Sequence, residues 1–80
     1  MSESKPRRRP VKVNAERLWL LRVEQGLSQV QLAGRVGVSK KHISNIEAGR
    51  VGASPEVLRR IAATLGCTVA DLLITPQVAA

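Results

Sequence analysis

With 80 residues, 13 Lys plus Arg against 6 Asp plus Glu and a net charge of +7, the chain holds one small domain and leaves no room for a second folded unit. Folding at this size buries only about 60% of the surface an unfolded chain exposes, so a pocket walled by catalytic groups competes with the core for residues, and an enzyme is not expected. One Cys and one His exclude an internal disulfide and a four-ligand zinc site, so no metal or other cofactor is expected.

In chain order, the first segment is a basic arm over residues 1–13. Lys5, Arg7, Arg8, Arg9 and Lys12 face a single acid, Glu3, within the first twelve residues, which therefore hold a net +4 of the excess. Ser2, Ser4, Pro6 and Pro10 give the arm nothing to bury, so disorder is expected when it is alone. Two uses fit it: binding of a polyanion, or a merely solubilising tail. Val11-Lys12-Val13 is the only strand-like triplet and is too short to define a strand. The amphipathic stretch after the arm is not a signal-peptide core, and no apolar run approaches the ~18 residues of a membrane span. A cytoplasmic location without membrane contact is the expectation.

From Asn14 onward Gly26, Gly37, Gly49 and Gly66 each close an apolar-periodic stretch, and a Ser, Thr or Asn opens the next. The pattern predicts five helices over residues 14–73, with a tail over 74–80. Hydrophobic residues make up 44% of the chain, with one Trp, no Phe and no Tyr, so the core must be Leu, Ile, Val and Ala. The first helix runs from its cap Asn14 to Gln25. Leu18 and Leu21 form its core face, but Trp19, Leu20 and Val23 lie about 100–200° away, where charges usually sit. Either Ile74 and Val78 cover them, or they are an exposed patch for a partner protein or second protomer.

The second helix opens on the capping box Ser28 and Gln31, which satisfies two otherwise orphan backbone donors. The third begins after Ser39 and ends near Ala48. The fourth has Ser54 as cap and Pro55 at its first position, where a missing N–H costs nothing. The fifth runs from Thr68 to about Leu73. Only Gly37 and Val38 separate helices two and three; small Ala33 permits close approach, and Leu32, Val36, Ile43 and Ile46 supply apolar contact. This is a helix-turn-helix pattern. At about 100° per residue, Lys40, Lys41, Ser44, Asn45 and Ala48 share one face of helix three, and Ile43 and Ile46 lie opposite. That face is cationic and hydrogen-bonding, as a helix set among phosphates and base edges requires.

The runs Leu27-Ser28-Gln29-Val30-Gln31-Leu32-Ala33, Val36-Gly37-Val38-Ser39 and Ile43-Ser44-Asn45-Ile46-Glu47-Ala48-Gly49-Arg50 resemble the phage repressor and Cro type of helix-turn-helix, the XRE-like family. Leu58, Ile61, Ala62, Leu65-Gly66 and Val69-Ala70-Asp71-Leu72-Leu73 extend the likeness across residues 14–73. The resemblance implies an all-α, five-helix lambda-repressor-like domain that binds double-stranded DNA, usually as a homodimer, with helix three in the major groove. It assigns Lys40, Lys41, Ser44 and Asn45 to bases, with Lys40 also open to a phosphate-only role, and Gln29, Ser39 and Arg50 to phosphate. It pairs Glu47 with Arg22, tying helix one to helix three; the other reading of Glu47 is a solvated helix end. Pro6-Arg7-Arg8-Arg9-Pro10 resembles an AT-hook core with Arg8 in place of its glycine, which leaves Arg7, Arg8 and Arg9 suited to phosphate or a narrow minor groove.

Two functions follow. One is a small transcriptional regulator, most simply a repressor or autoregulator, with the controller proteins of restriction systems as an example of such short chains. The other is an antitoxin or similar module that holds a protein through the Trp19 face and binds DNA to regulate its own operon. Cys67, His42 and Asp71 fall on different elements, without the spacing of nucleophile, base and orienter, and Cys67 reads as a small buried hydrophobe.

Overall fold

The computed structural model describes residues 10–74. They form five helices: α1 (Ala15–Glu24), α2 (Gln29–Val36), α3 (Lys40–Glu47), α4 (Pro55–Leu65) and α5 (Val69–Leu72). Every helix starts at the side chain that the sequence offers as a cap. Asn14, Ser28, Ser39, Ser54 and Thr68 each accept the backbone N–H three residues on, and Ser28 with Gln31 and Thr68 with Asp71 complete capping boxes. Helices α1, α3 and α5 stop one residue before the expected ends, because Gln25, Ala48 and Leu73 serve as C-caps.

The core is aliphatic. Leu18, Leu32, Ile43, Ile46, Leu58, Ile61, Leu72 and Val36 are its largest fully buried side chains. Helix α2 packs on α3 and α4, α1 on α3 and α5, and α4 on α5, so α3 is held from behind by two helices while its Lys40 side faces outward. The α2–α3 turn passes through Gly37 in the left-handed conformation (φ 87°). Its last α2 carbonyl, on Val36, accepts a long 3.4 Å bond from Arg60 Nη1 of α4, a partner 24 residues away that satisfies a group the helix itself cannot.

Residues 11–14, on either side of the expected boundary after residue 13, pair with the helical body. Val11 and Ala53 exchange two backbone hydrogen bonds (2.8 and 3.0 Å), Val13 bridges to Leu73, and Asn14 N–H donates to the Leu72 carbonyl at 2.8 Å. Val13 is buried. These bridges are isolated pairs, so the triplet forms no strand, but it is a seam joining the α3–α4 loop to the end of α5. The seam depends on Gly52, where a Cβ would stand 2.8 Å from the Val11 carbonyl carbon and collide with its oxygen. Residues 1–9 and 75–80, including Arg7, Arg8, Arg9 and Val78, lie outside the described residues. Among the described residues no helix is long and apolar enough to cross a membrane.

Candidate nucleic-acid interface

Helix α3 presents Lys40 and Lys41 exposed, with Ser44 and Asn45 half-buried beside them. Ser39 Oγ accepts the His42 N–H at 3.0 Å, so this hydroxyl has a structural task and keeps its own O–H to donate to a phosphate. The helix closes in a Schellman motif: Gly49 N–H bonds the Ile46 carbonyl and Arg50 N–H bonds the Asn45 carbonyl, both at 3.0 Å, with Gly49 at φ 77°. Only a residue free of a Cβ takes that φ without strain. The motif folds Arg50 back over the last turn, where its Nη1 donates to Asn45 Oδ1 at 3.2 Å.

Glu47, the one acid of α3, is turned away from this outer face. Its side chain is only 5% exposed and accepts Arg22 Nε at 2.6 Å and Arg22 Nη2 at 3.1 Å, a two-point charge-assisted contact. The remaining arm of the guanidinium, Nη1, donates to the Leu27 carbonyl at 2.7 Å. One buried cation therefore neutralises the acid, ties α1 to α3 and satisfies the α1–α2 loop. Glu47 Oε1 also accepts Gln29 Nε2 at 3.0 Å. A carboxylate can only accept, so the amide end of Gln29 must face it. Any contact from Gln29 to a phosphate then uses its second Nε2 hydrogen.

Lys12 is the cation that the sequence pattern leaves with the arm and the structure places elsewhere. The Val11–Ala53 pairing sets it against the α3–α4 loop, where Lys12 and Arg50 line an open cleft of about 340 Å³ together with Asn14, Val51 and Ile74, with no carboxylate among its walls. Gly52 is the signal in the sequence for that approach, but a lone glycine in a loop does not name the segment it makes room for.

On the far side of α1, Trp19, Leu20 and Val23 are 47%, 44% and 46% exposed. Ile74 is itself 57% exposed, so among the described residues nothing covers the patch. Cys67 is half-buried against the core. Burial, and then the charge of Asp71, raise its thiol above the ordinary value, which keeps it protonated and a poor nucleophile. The Thr68 N–H, and then the Thr68 side chain, hold the Asp71 carboxyl below its usual range, as its capping role requires.

Comparison with known proteins agrees with this architecture. The helix-turn-helix family model HTH_3 matches residues 20–72. The chain is 45% identical over 58 residues to the HTH-type transcriptional regulator DdrOP3 of Deinococcus deserti, covering 72% of this chain and 45% of that protein. It is 41% identical over 57 residues to the competence pilus inhibition repressor of Acinetobacter baylyi, covering 71% of this chain and 52% of that one. The chain thus spans about half the length of the curated relatives it matches. Among solved structures, SinR of Bacillus subtilis, the master regulator for biofilm formation, crystallised in complex with DNA, is 32% identical with a TM-score of 0.66, covering 70% of this chain and 90% of that one. The chain belongs to the helix-turn-helix family of the XRE, or phage repressor and Cro, type.

Proposed function

We propose that this chain is a sequence-specific double-stranded DNA-binding transcriptional regulator, acting as a repressor or autoregulator and reading the major groove with α3. The observation that carries the reading is the division of charge on α3. Lys40 and Lys41 stand exposed on its outer face, and its only acid is neutralised on the inner one by Arg22. A basic, hydrogen-bonding helix braced by a second helix can enter a groove about 12 Å wide. The likeness to a regulator crystallised with DNA and to a repressor supports it. In this reading Lys40, Lys41, Ser44 and Asn45 face bases, and Gln29, Ser39 and Arg50 face phosphates, fixing register without specifying sequence. Arg7, Arg8 and Arg9 add phosphate or minor-groove contacts, and two copies bind as a homodimer in the cytoplasm.

Selection of bound sequences from random duplex DNA tests the reading, with a pseudo-palindromic site as the expected product. Recovery of no enriched sequence would reject sequence-specific binding, and an asymmetric single site would reject the homodimer. Removing residues 1–9 should then flatten the dependence of log affinity on log salt by about 0.9 for each phosphate that the arm neutralises. An unchanged slope makes the arm a bystander.

The second reading, a partner-binding module such as an antitoxin, is favoured by the exposed Trp19, Leu20 and Val23. A stoichiometric complex with a protein encoded beside it, abolished in Trp19→Ser, supports that reading. A monodisperse homodimer unchanged by Trp19→Ser, with no such complex, argues against it.

A further inference from the structure

Asn45 is an amide at the surface where bases are to be read, and an amide has two unlike ends. Its Oδ1 accepts two hydrogen bonds and its Nδ2 donates two. A free Asn can turn either end to the groove. The donor end suits purine N7, guanine O6 or thymine O4, whereas the acceptor end suits the amino groups of adenine and cytosine. Left to rotate, such a side chain reads ambiguously.

In this molecule one end of the amide is engaged. Arg50 Nη1 donates to Asn45 Oδ1 at 3.2 Å. A guanidinium has donors and no acceptor, so it can hold only the oxygen end. The contact is also not an accident of one long side chain, because the bond from Arg50 N–H to the Asn45 carbonyl and the left-handed Gly49 place residue 50 over residue 45 through the backbone. We propose that Arg50 is a positioning residue for base reading: it holds the Asn45 oxygen and thereby turns the Nδ2 donors to the DNA. This rests on the reading of α3 as the base-contacting helix. The guanidinium keeps further N–H donors for a phosphate, so a phosphate that anchors Arg50 also sets the Asn45 amide, and backbone register and base identity are linked through one side chain. The base facing Asn45 is one that offers an acceptor. Cytosine, whose groove edge offers only its amino donor, is the base disfavoured.

The experiment measures binding of the full chain to four duplexes that differ only at the position whose preference Asn45→Ala changes. The wild type should disfavour cytosine there by about 5- to 150-fold, the range of one good contact. Arg50→Ala should remove most of that penalty as well as weakening all four duplexes. Arg50→Lys, which keeps a donor-only group and the charge, should retain the penalty. In the Asn45→Ala background, Arg50→Ala should weaken all four equally. In the DNA-free protein the side-chain NH2 resonances of Asn45 should move in Arg50→Ala and stay near their wild-type positions in Arg50→Lys. A penalty against cytosine that survives Arg50→Ala intact, or Asn45 resonances unmoved by it, overturns the proposal. If Asn45→Ala changes no position's preference, the base-reading role of Asn45 has failed, and the proposal falls with it by a separate observation.

Discussion

The Arg22–Glu47 pair closes at 2.6 Å with side chains 11% and 5% exposed, and the Arg60–Glu56 pair closes at 2.7 Å with side chains 51% and 47% exposed. Distance does not separate them; surroundings do. At the exposed pair water screens both charges whether or not they meet, so the net gain is small. At the buried pair the two charges have lost most of their water and depend on each other, together with Leu27 and Gln29, for the hydrogen bonds that replace it. A buried pair of this kind adds little over a well-packed apolar pair, yet is costly to leave half-made. Its position gives it a role: it neutralises the one acid on α3 and joins that helix to α1.

Breaking the buried pair should therefore do the most damage. Glu47→Ala leaves the Arg22 guanidinium buried with only a carbonyl for company, and should cost about 3–5 kcal/mol of unfolding free energy, read as a lowered urea midpoint with an unchanged slope. A loss under about 1 kcal/mol would mean that water reaches the site and that the contrast between the two pairs is false. The double variant Arg22→Met with Glu47→Leu goes further. It removes both charges and leaves the Leu27 carbonyl without its donor, a penalty of about 1–3 kcal/mol set against relief of two buried ions worth a similar amount. Stability near that of the native chain is expected, and under the proposed phosphate role of Gln29, which loses its anchor, weaker DNA binding as well. Stability as low as that of Glu47→Ala would show that the ions contribute in their own right.

The two pairs also differ in how the sequence reveals them. Glu56 and Arg60 are four apart on one helix, a spacing that brings side chains together whatever the fold. Arg22 and Glu47 are 25 apart, and only likeness to a family pairs them, since no periodicity joins α1 to α3. Local chemistry was legible: Ser28 with Gln31, Ser54 with Pro55, and Thr68 all open helices where their side chains can cap. The Schellman closure at Gly49 was half legible, as a glycine ending α3, but not its consequence that Arg50 returns to Asn45. Contacts that need two distant segments were not legible. Val11-Lys12-Val13 is too short for periodicity to mark, and its partner is fixed by the clearance at Gly52. The bond from Gln29 to Glu47 needs α2 already docked against α3.

The exposed pair offers a finer test through much smaller changes. Arg60 has two tasks: Nη2 meets Glu56 at 2.7 Å, and Nη1 reaches the Val36 carbonyl at the end of α2. Glu56 shares only the first of these contacts. If ion pairing were what mattered at this site, removing either partner would cost the same. Instead Glu56→Gln should cost about 0.3–0.5 kcal/mol, as exposed pairs four apart on a helix do, and Arg60→Ala about 1 kcal/mol, since it also removes a donor from a helix-end carbonyl. Salt separates the two contributions. In about 1 M NaCl, where the screening length is about 3 Å, the Glu56→Gln loss should vanish while most of the Arg60→Ala loss remains. Equal losses that vanish together would make Arg60 a surface charge and nothing more, whereas a persistent difference assigns it to the end of α2, just before the turn that leads into α3.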